Sequence, residues 1–99
     1  MVTKEEARRF LGDVAPEQCF WFINGPILIN LDDLANALPN ISNESYAHHV
    51  DKKKNDFGKW VDEVVGDKKL AHDLQKSKNK ESAVKKARAR LDSLKKKAK

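Results

Sequence analysis

Short apolar segments with helical spacing run along this chain, and a capping or helix-breaking residue bounds most of them. The clearest is 56–65, where apolar side chains stand at i, i+3, i+4, i+7 and i+8 from Phe57 to Val65, as in a helix that buries one face. Asn55 is placed to cap this helix and Gly66 to end it. Because such short helices are stable only when they pack together, the pattern predicts a small, mostly helical domain.

The same two signals predict helices elsewhere along the chain. Thr3 and Glu6 have the spacing of a capping box ahead of the first one. Asn30 and Ser42 are placed to cap two more, and Asp67 can cap another directly after Gly66. With a long helix at the C-terminus, the pattern predicts five or six helices.

A β-hairpin is predicted at 20–29, where aromatic and β-branched residues flank Asn24, Gly25 and Pro26. Pro26 favours a three-residue loop over a two-residue turn, because proline pushes the preceding residue toward extended geometry. Both strands are apolar on both faces, so helices or another chain must cover them. The predicted fold class is therefore α+β, mostly helical, with one hairpin; an all-α fold with this segment irregular is the alternative.

The 99 residues suffice for one domain with a single modest core. The residues expected to dominate that core are large, apolar and placed before residue 75: Trp21, Phe22, Leu34, Leu38, Phe57, Trp60, Val61, Val64, Leu70 and Leu74.

Charge is unevenly distributed along the chain. Residues 1–75 contain nine Lys/Arg and thirteen Asp/Glu, whereas residues 76–99 contain eleven Lys/Arg and two acidic residues. We therefore expect a compact acidic body at 1–75, a linker at 76–80, and a basic C-terminal helix at 81–99 that either belongs to the same domain or forms an appended tail. An acidic body with a basic end indicates a polyanion or an acidic protein surface as partner.

The C-terminal helix has a narrow apolar stripe and a wide basic face. The stripe, with spacing 3, 4, 3, 4 from Val84 to Ala98, suits one docking seam or a short coiled coil. The basic face can contact phosphates without reading bases. The predicted nucleic-acid-binding residues are Lys85, Lys86, Arg88, Arg90, Lys95, Lys96 and Lys97.

Other partners follow from the same features. The basic helix could instead meet an acidic protein, pair with the acidic body or only aid solubility. The stripe and an open hairpin edge predict a weak homodimer. No stretch approaches 18 apolar residues, so no membrane partner is expected, and the single cysteine, Cys19, fits a cytoplasmic location.

No residue pattern indicates catalysis, a metal or a cofactor. The candidate metal ligands His48, His49, Asp51, His72 and Cys19 lack the spacing of a metal site. His49 shares a helix face with Tyr46, which favours a half-buried, hydrogen-bonded histidine. Cys19 lies before an apolar strand, where a small buried side chain is the expected role. The chain is therefore predicted not to be an enzyme, and Lys52–Lys54 is interpreted as a solvated connector.

Two motifs together resemble a small prokaryotic domain family of unknown function. The first has the form FW..NG....L..LA..L from Phe20 to Leu38, and the second has the form KNDF..W...V.GD..LA from Lys54 to Ala71. The resemblance covers about residues 18–92 and leaves the final lysine-rich extension outside. Since the family has no assigned activity, the resemblance implies one ordered module and no particular substrate.

Overall fold

Six α-helices and one two-stranded hairpin make up the computed structural model, which describes residues 2–23 and 25–99. The elements are α1 Lys4–Leu11, β1 Phe20–Trp21, β2 Ile27–Leu28, α2 Leu31–Ala37, α3 Asn43–His49, α4 Asp56–Trp60, α5 Lys68–Lys76 and α6 Lys80–Ala98. This arrangement confirms the mostly helical α+β prediction.

Side-chain caps fix where the helices begin. At α1, Thr3 Oγ1 accepts the Glu6 N–H at 3.1 Å and Glu6 Oε1 accepts the Thr3 N–H at 3.1 Å, which is the predicted capping box. The side chains that accept a backbone N–H at the starts of α2 to α6 are those of Asn30, Ser42, Asn55, Asp67 and Asn79.

Helix α4 continues as one π-helical turn, Val61–Val65. The Gly66 N–H closes it by donating to the Val61 carbonyl at 2.7 Å, and Gly66 has φ 90°, a left-handed conformation that glycine adopts without strain. This sharp exit places Asp67 directly at the start of α5, so the two helices pack against each other.

The hairpin is shorter than predicted. Among the described residues, the antiparallel pairs are Phe20 with Leu28 and Trp21 with Ile27, so more than three residues separate the two strands. The part of the loop prediction that concerns Asn24 lies outside the described residues.

Most of the predicted core residues are buried, but the prediction that Trp21 is buried is wrong. Its side chain is 70% exposed, whereas Phe20 and Phe22 are buried. Successive strand residues point to opposite faces, so the register that buries Phe20 and Phe22 turns Trp21 outward. Val64 is only partly buried.

Helix α6 belongs to the core of the domain. Its residues Ala83, Ala87, Leu91 and Leu94 are at most 3% exposed and pack between α1, α2 and α5. At its far end, Arg8 Nε donates to the Ala98 carbonyl at 3.1 Å. The apolar stripe is therefore occupied within the chain and is not available for a dimer.

Candidate nucleic-acid interface

Four of the seven predicted binding residues lie free on the surface of α6. Lys85, Lys86, Lys96 and Lys97 are exposed, and within residues 2–23 and 25–99 no carboxylate lies within 4.0 Å of their ammonium groups. Because α6 is fixed to the core, these charges are held on a rigid element.

Two further residues lean from α6 toward α2. Arg88 Nη2 donates to Asn36 Oδ1 at 3.0 Å, and Lys95 Nζ lies 3.2 Å from Asp32 Oδ1. Both partners of the Lys95 pair are about half exposed, and exposed pairs of this kind are weak. A phosphate can therefore replace either contact at little cost.

Arg90 is held differently from the other six. Its Nε and Nη2 atoms donate to the two carboxylate oxygens of Asp67 at 2.8 and 2.9 Å, and the side chains are 11% and 1% exposed, respectively. Asp67 Oδ1 also accepts the Leu70 N–H at the start of α5. Arg90 thus joins α6 to α5, and we leave it out of the proposed interface.

Two of the four free lysines lie on the side of α6 that faces away from the core. With 3.6 residues per turn, Lys85, Ala89, Asp92 and Lys96 stand farthest from the buried stripe, so one exposed carboxylate, that of Asp92, shares this line with the two lysines. The helix is about 27 Å long at 1.5 Å per residue. A ligand that lies along α6 would therefore contact lysines near both ends of the helix.

The C-terminal half of α6 forms one wall of an open cleft of about 910 Å³. Helix α1 and the start of α5 form the other walls, and the cations that line the cleft are Arg9, Lys68, Lys69, Arg90, Lys96 and Lys97. Lys68 and Lys69 pair with Asp62 at 2.6 Å and Asp73 at 3.0 Å. Glu6, Asp67 and Asp92 also line the cleft, and Lys68, Lys69 and Arg90 are paired, so the cleft continues the basic surface of α6 only toward Arg9 of α1.

The N-terminal end of α6 opens onto a second cleft that the sequence did not predict. It measures about 670 Å³, and its cationic lining residues are Lys52, Lys53, Lys54, Lys78 and Lys80. These lysines come from the segment interpreted as a solvated connector and from the predicted linker. A run of lysines in each segment was visible, but nothing in the sequence indicated that the two runs meet.

His49 has a structural role. Its Nε2 atom accepts the Ile23 N–H at 3.2 Å and its Nδ1 atom lies 3.0 Å from Asp56 Oδ2. Both ring nitrogens of His49 therefore have a hydrogen-bond partner. The ring packs against Phe20 and Phe57, so His49 links the hairpin to α4. It is hydrogen-bonded, as predicted.

Groups of three or more potential metal ligands are absent from the described part of the chain. Neither His49 nor Asp56 lines the two clefts described above. Within residues 2–23 and 25–99, none of the helices combines the length and apolar composition that crossing a bilayer requires.

The outer face of the hairpin carries four exposed apolar side chains, one of which, Trp21, was predicted to lie in the core. Trp21 is 70% exposed, Ile27 45%, and Ile23 and Ile29 38% each. Trp21 and Ile27 are cross-strand partners, so their side chains lie on the same face. The free aromatic surface is therefore contiguous with aliphatic surface.

Comparison of the chain with protein-family models, curated proteins and solved structures finds no match. The resemblance to a prokaryotic family of unknown function stays a prediction, and the function has to be argued from the surfaces described above.

Proposed function

We propose that the protein is a small, non-enzymatic binding module that contacts DNA or RNA non-specifically through the exposed cations of α6. The observation that carries the proposal is that Lys85, Lys86, Lys96 and Lys97 are exposed on a helix anchored in the core and have no carboxylate partner among residues 2–23 and 25–99. Such charges need no rearrangement and break no ion pair when they meet phosphates.

The dimensions and chemistry of α6 favour backbone contact over base reading. A length of about 27 Å matches about eight base pairs of duplex at 3.4 Å each. Lysine ammonium groups act as point charges toward phosphate, and phosphate contacts carry no sequence information. Different sequences should therefore bind alike.

The salt dependence measures how many cations take part. Four to six contacts release counterions with a slope of log K against log salt of about −4 to −5 for duplex DNA. Fluorescence anisotropy with labelled duplexes of different sequence, between about 50 and 200 mM salt, gives this slope directly.

A matched pair of variants identifies the surface. Lys85→Gln with Lys96→Gln should reduce the magnitude of the slope by about 2. Lys4→Gln with Lys59→Gln removes the same charge from exposed positions on α1 and α4 and should leave the slope nearly unchanged. Equal effects of the two pairs, or no binding at about 10 μM protein in low salt, would overturn the proposal.

A second candidate function, protein interaction, is favoured by the exposed hairpin face. We propose a second copy of this chain as its occupant. The four side chains Trp21, Ile23, Ile27 and Ile29 offer far less than the ~800 Å² per partner of a stable interface, so the dimer should be weak. An acidic protein that binds α6 is the remaining alternative, and a cytoplasmic location stays the expectation from Cys19.

The hairpin candidate is tested by sedimentation at two concentrations. The wild type should show a mass that rises above 11.3 kDa with concentration, and Trp21→Ser should stay monomeric. A wild-type mass that does not change with concentration would remove the dimer.

A further inference from the structure

The two lysine-rich connections of the chain face each other across one cleft. The turn before α4 supplies Lys52 and Lys53, and the connection between α5 and α6 supplies Lys78. They are brought together by Asn55, whose side-chain amide donates to the Leu74 carbonyl near the end of α5 at 3.0 Å. The cleft is therefore a consequence of how α4 packs on α5.

The lysine turn has a defined conformation. Asp51 Oδ1 accepts the backbone N–H groups of Lys53 at 2.7 Å and Lys54 at 2.9 Å, and the Asp51 N–H donates to the Lys54 carbonyl at 2.9 Å. Val50 and Asn55 close the base of the turn as an isolated β-bridge. The backbone that carries the lysines is thus preorganised.

Positive charge in the cleft is largely uncompensated. Asp51 is the only carboxylate among the described residues that line it, and its Oδ1 atom is occupied by backbone amides. Lys52, Lys53 and Lys78 have no carboxylate within 4.0 Å in the described part of the chain. The 19-residue helix α6 also begins here, after its cap Asn79, and adds the positive end of its dipole.

Tyr46 provides an independent indication of a ligand. The residue lines the cleft and is only 8% exposed, yet its buried hydroxyl has no hydrogen-bond partner among residues 2–23 and 25–99. Buried polar groups are nearly always paired, because an unmet hydrogen bond is unfavourable. Burial, together with the charge of Glu81, raises the pKa of Tyr46, so the phenol stays protonated at neutral pH and can donate.

We propose that this cleft is a phosphate-binding site, in which Lys52, Lys53 and Lys78 supply the charge, and in which a shift of the Tyr46 side chain brings its buried hydroxyl to donate a hydrogen bond to a phosphate oxygen. The site goes beyond the proposed binding along α6, because it uses none of the seven nucleic-acid-binding residues that the sequence predicts on that helix. Its volume of about 670 Å³ is in the range of small-molecule pockets. The phosphate can belong to the end of a nucleic-acid strand or to a small phosphorylated molecule.

The first test is titration of the ¹⁵N-labelled protein with pyrophosphate. Backbone amide signals of residues 50–55 and 77–80 should shift, and Lys53→Gln with Lys78→Gln should weaken binding at least about 5-fold, whereas Lys85→Gln with Lys96→Gln should change it less than about 2-fold. Absence of shifts at about 10 mM pyrophosphate, or equal affinity of the Lys53/Lys78 variant and the wild type, would overturn the proposal. Because the α6 variant is the control, the two proposals can fail separately.

Tyr46→Phe distinguishes a binding role from a structural one. Because the hydroxyl has no hydrogen-bond partner among the described residues of the free protein, removing it should leave Tm unchanged or raise it, while pyrophosphate binding weakens about 3-fold. A lower Tm with unchanged affinity would overturn the role of the hydroxyl.

A pair of single-stranded oligonucleotides, with and without a 5′-phosphate, distinguishes the sources of the phosphate. Preference for the phosphorylated strand, lost in the Lys53/Lys78 variant, assigns the site to strand ends. Pyrophosphate binding without that preference assigns it to small phosphorylated ligands.

Discussion

Replacing Arg90 by methionine tests the role that the structure gives to this residue. The change keeps an unbranched side chain but removes the two hydrogen bonds, 2.8 and 2.9 Å long, that Asp67 accepts. The Asp67 carboxylate is 1% exposed and would be left with the Leu70 N–H, at 3.2 Å, as its remaining donor. Breaking a buried pair from one side costs about 3–5 kcal/mol.

That cost is large for a chain of this size. A domain of 99 residues has a free energy of unfolding of about 5–15 kcal/mol, so a loss of about 3–5 kcal/mol in Arg90→Met should remove at least about a fifth of it. Urea denaturation followed by far-UV circular dichroism measures the change. Lys95→Met is the matched control on the same helix, because its pair with Asp32 is about half exposed and should cost at most about 1 kcal/mol.

A double-mutant cycle separates the ion pair from the helix cap. Asp67→Asn removes the charge but keeps a side-chain oxygen that can cap α5, and combined with Arg90→Met it leaves no unpaired buried charge. The double variant should therefore be more stable than the sum of the single effects predicts, by about 1–3 kcal/mol. If Arg90→Met costs no more than Lys95→Met, the pair is not buried in solution, and Arg90 returns to the predicted interface.

Three further predictions concern α6, Tyr46 and Glu6. Ending the chain at Ser77 should abolish the cooperative unfolding transition in circular dichroism, because α6 supplies four buried residues of the core; a folded truncated body would contradict this. Burial raises the pKa of Tyr46 above 10.0 in the folded protein. The free energy of unfolding should therefore be unaffected by this group below pH 10 and should fall as pH rises through the pKa of the folded state. Tyr46→Phe should lack this alkaline loss in urea titrations. Hydrogen bonds from Thr3 lower the pKa of Glu6 below 4.5, so its stabilisation is present above that pH and is lost as pH falls through the folded value; Glu6→Gln should flatten the acid limb of the Tm profile, and an unchanged limb would refute the assignment.

Helix starts were predictable because their determinants are local. Thr3 and Glu6 are three residues apart, and so are Asn55 and the amide it caps, that of Gly58. The orientation of the hairpin was not predictable in the same way. Residues 20–23 are all large and apolar, so no alternation indicates which face is buried, and only packing of Phe20 on Phe57 and Trp60 turns Trp21 outward.

The basic face of α6 was predicted by residue type, and the exception shows the limit of that reasoning. Arg88 and Arg90 are two residues apart and flank the buried stripe of α6 on opposite sides. What distinguishes them is the environment each guanidinium reaches: a buried carboxylate for Arg90 and an exposed amide for Arg88. That difference depends on the sharp exit at Gly66, which brings Asp67 under α6.

The lysine-lined cleft at the start of α6 is determined by contacts outside the lysine segments. Asn55 Oδ1 caps α4 by accepting the Gly58 N–H at 2.9 Å, and its Nδ2 donates to Leu74 near the end of α5. Gly58 allows this approach, since a Cβ atom there would lie 2.8 Å from Gln75 Cγ. The turn before α4 must then face the connection after α5, whatever their own sequences, and two lysine runs that look like separate solvated connectors become the two walls of one site.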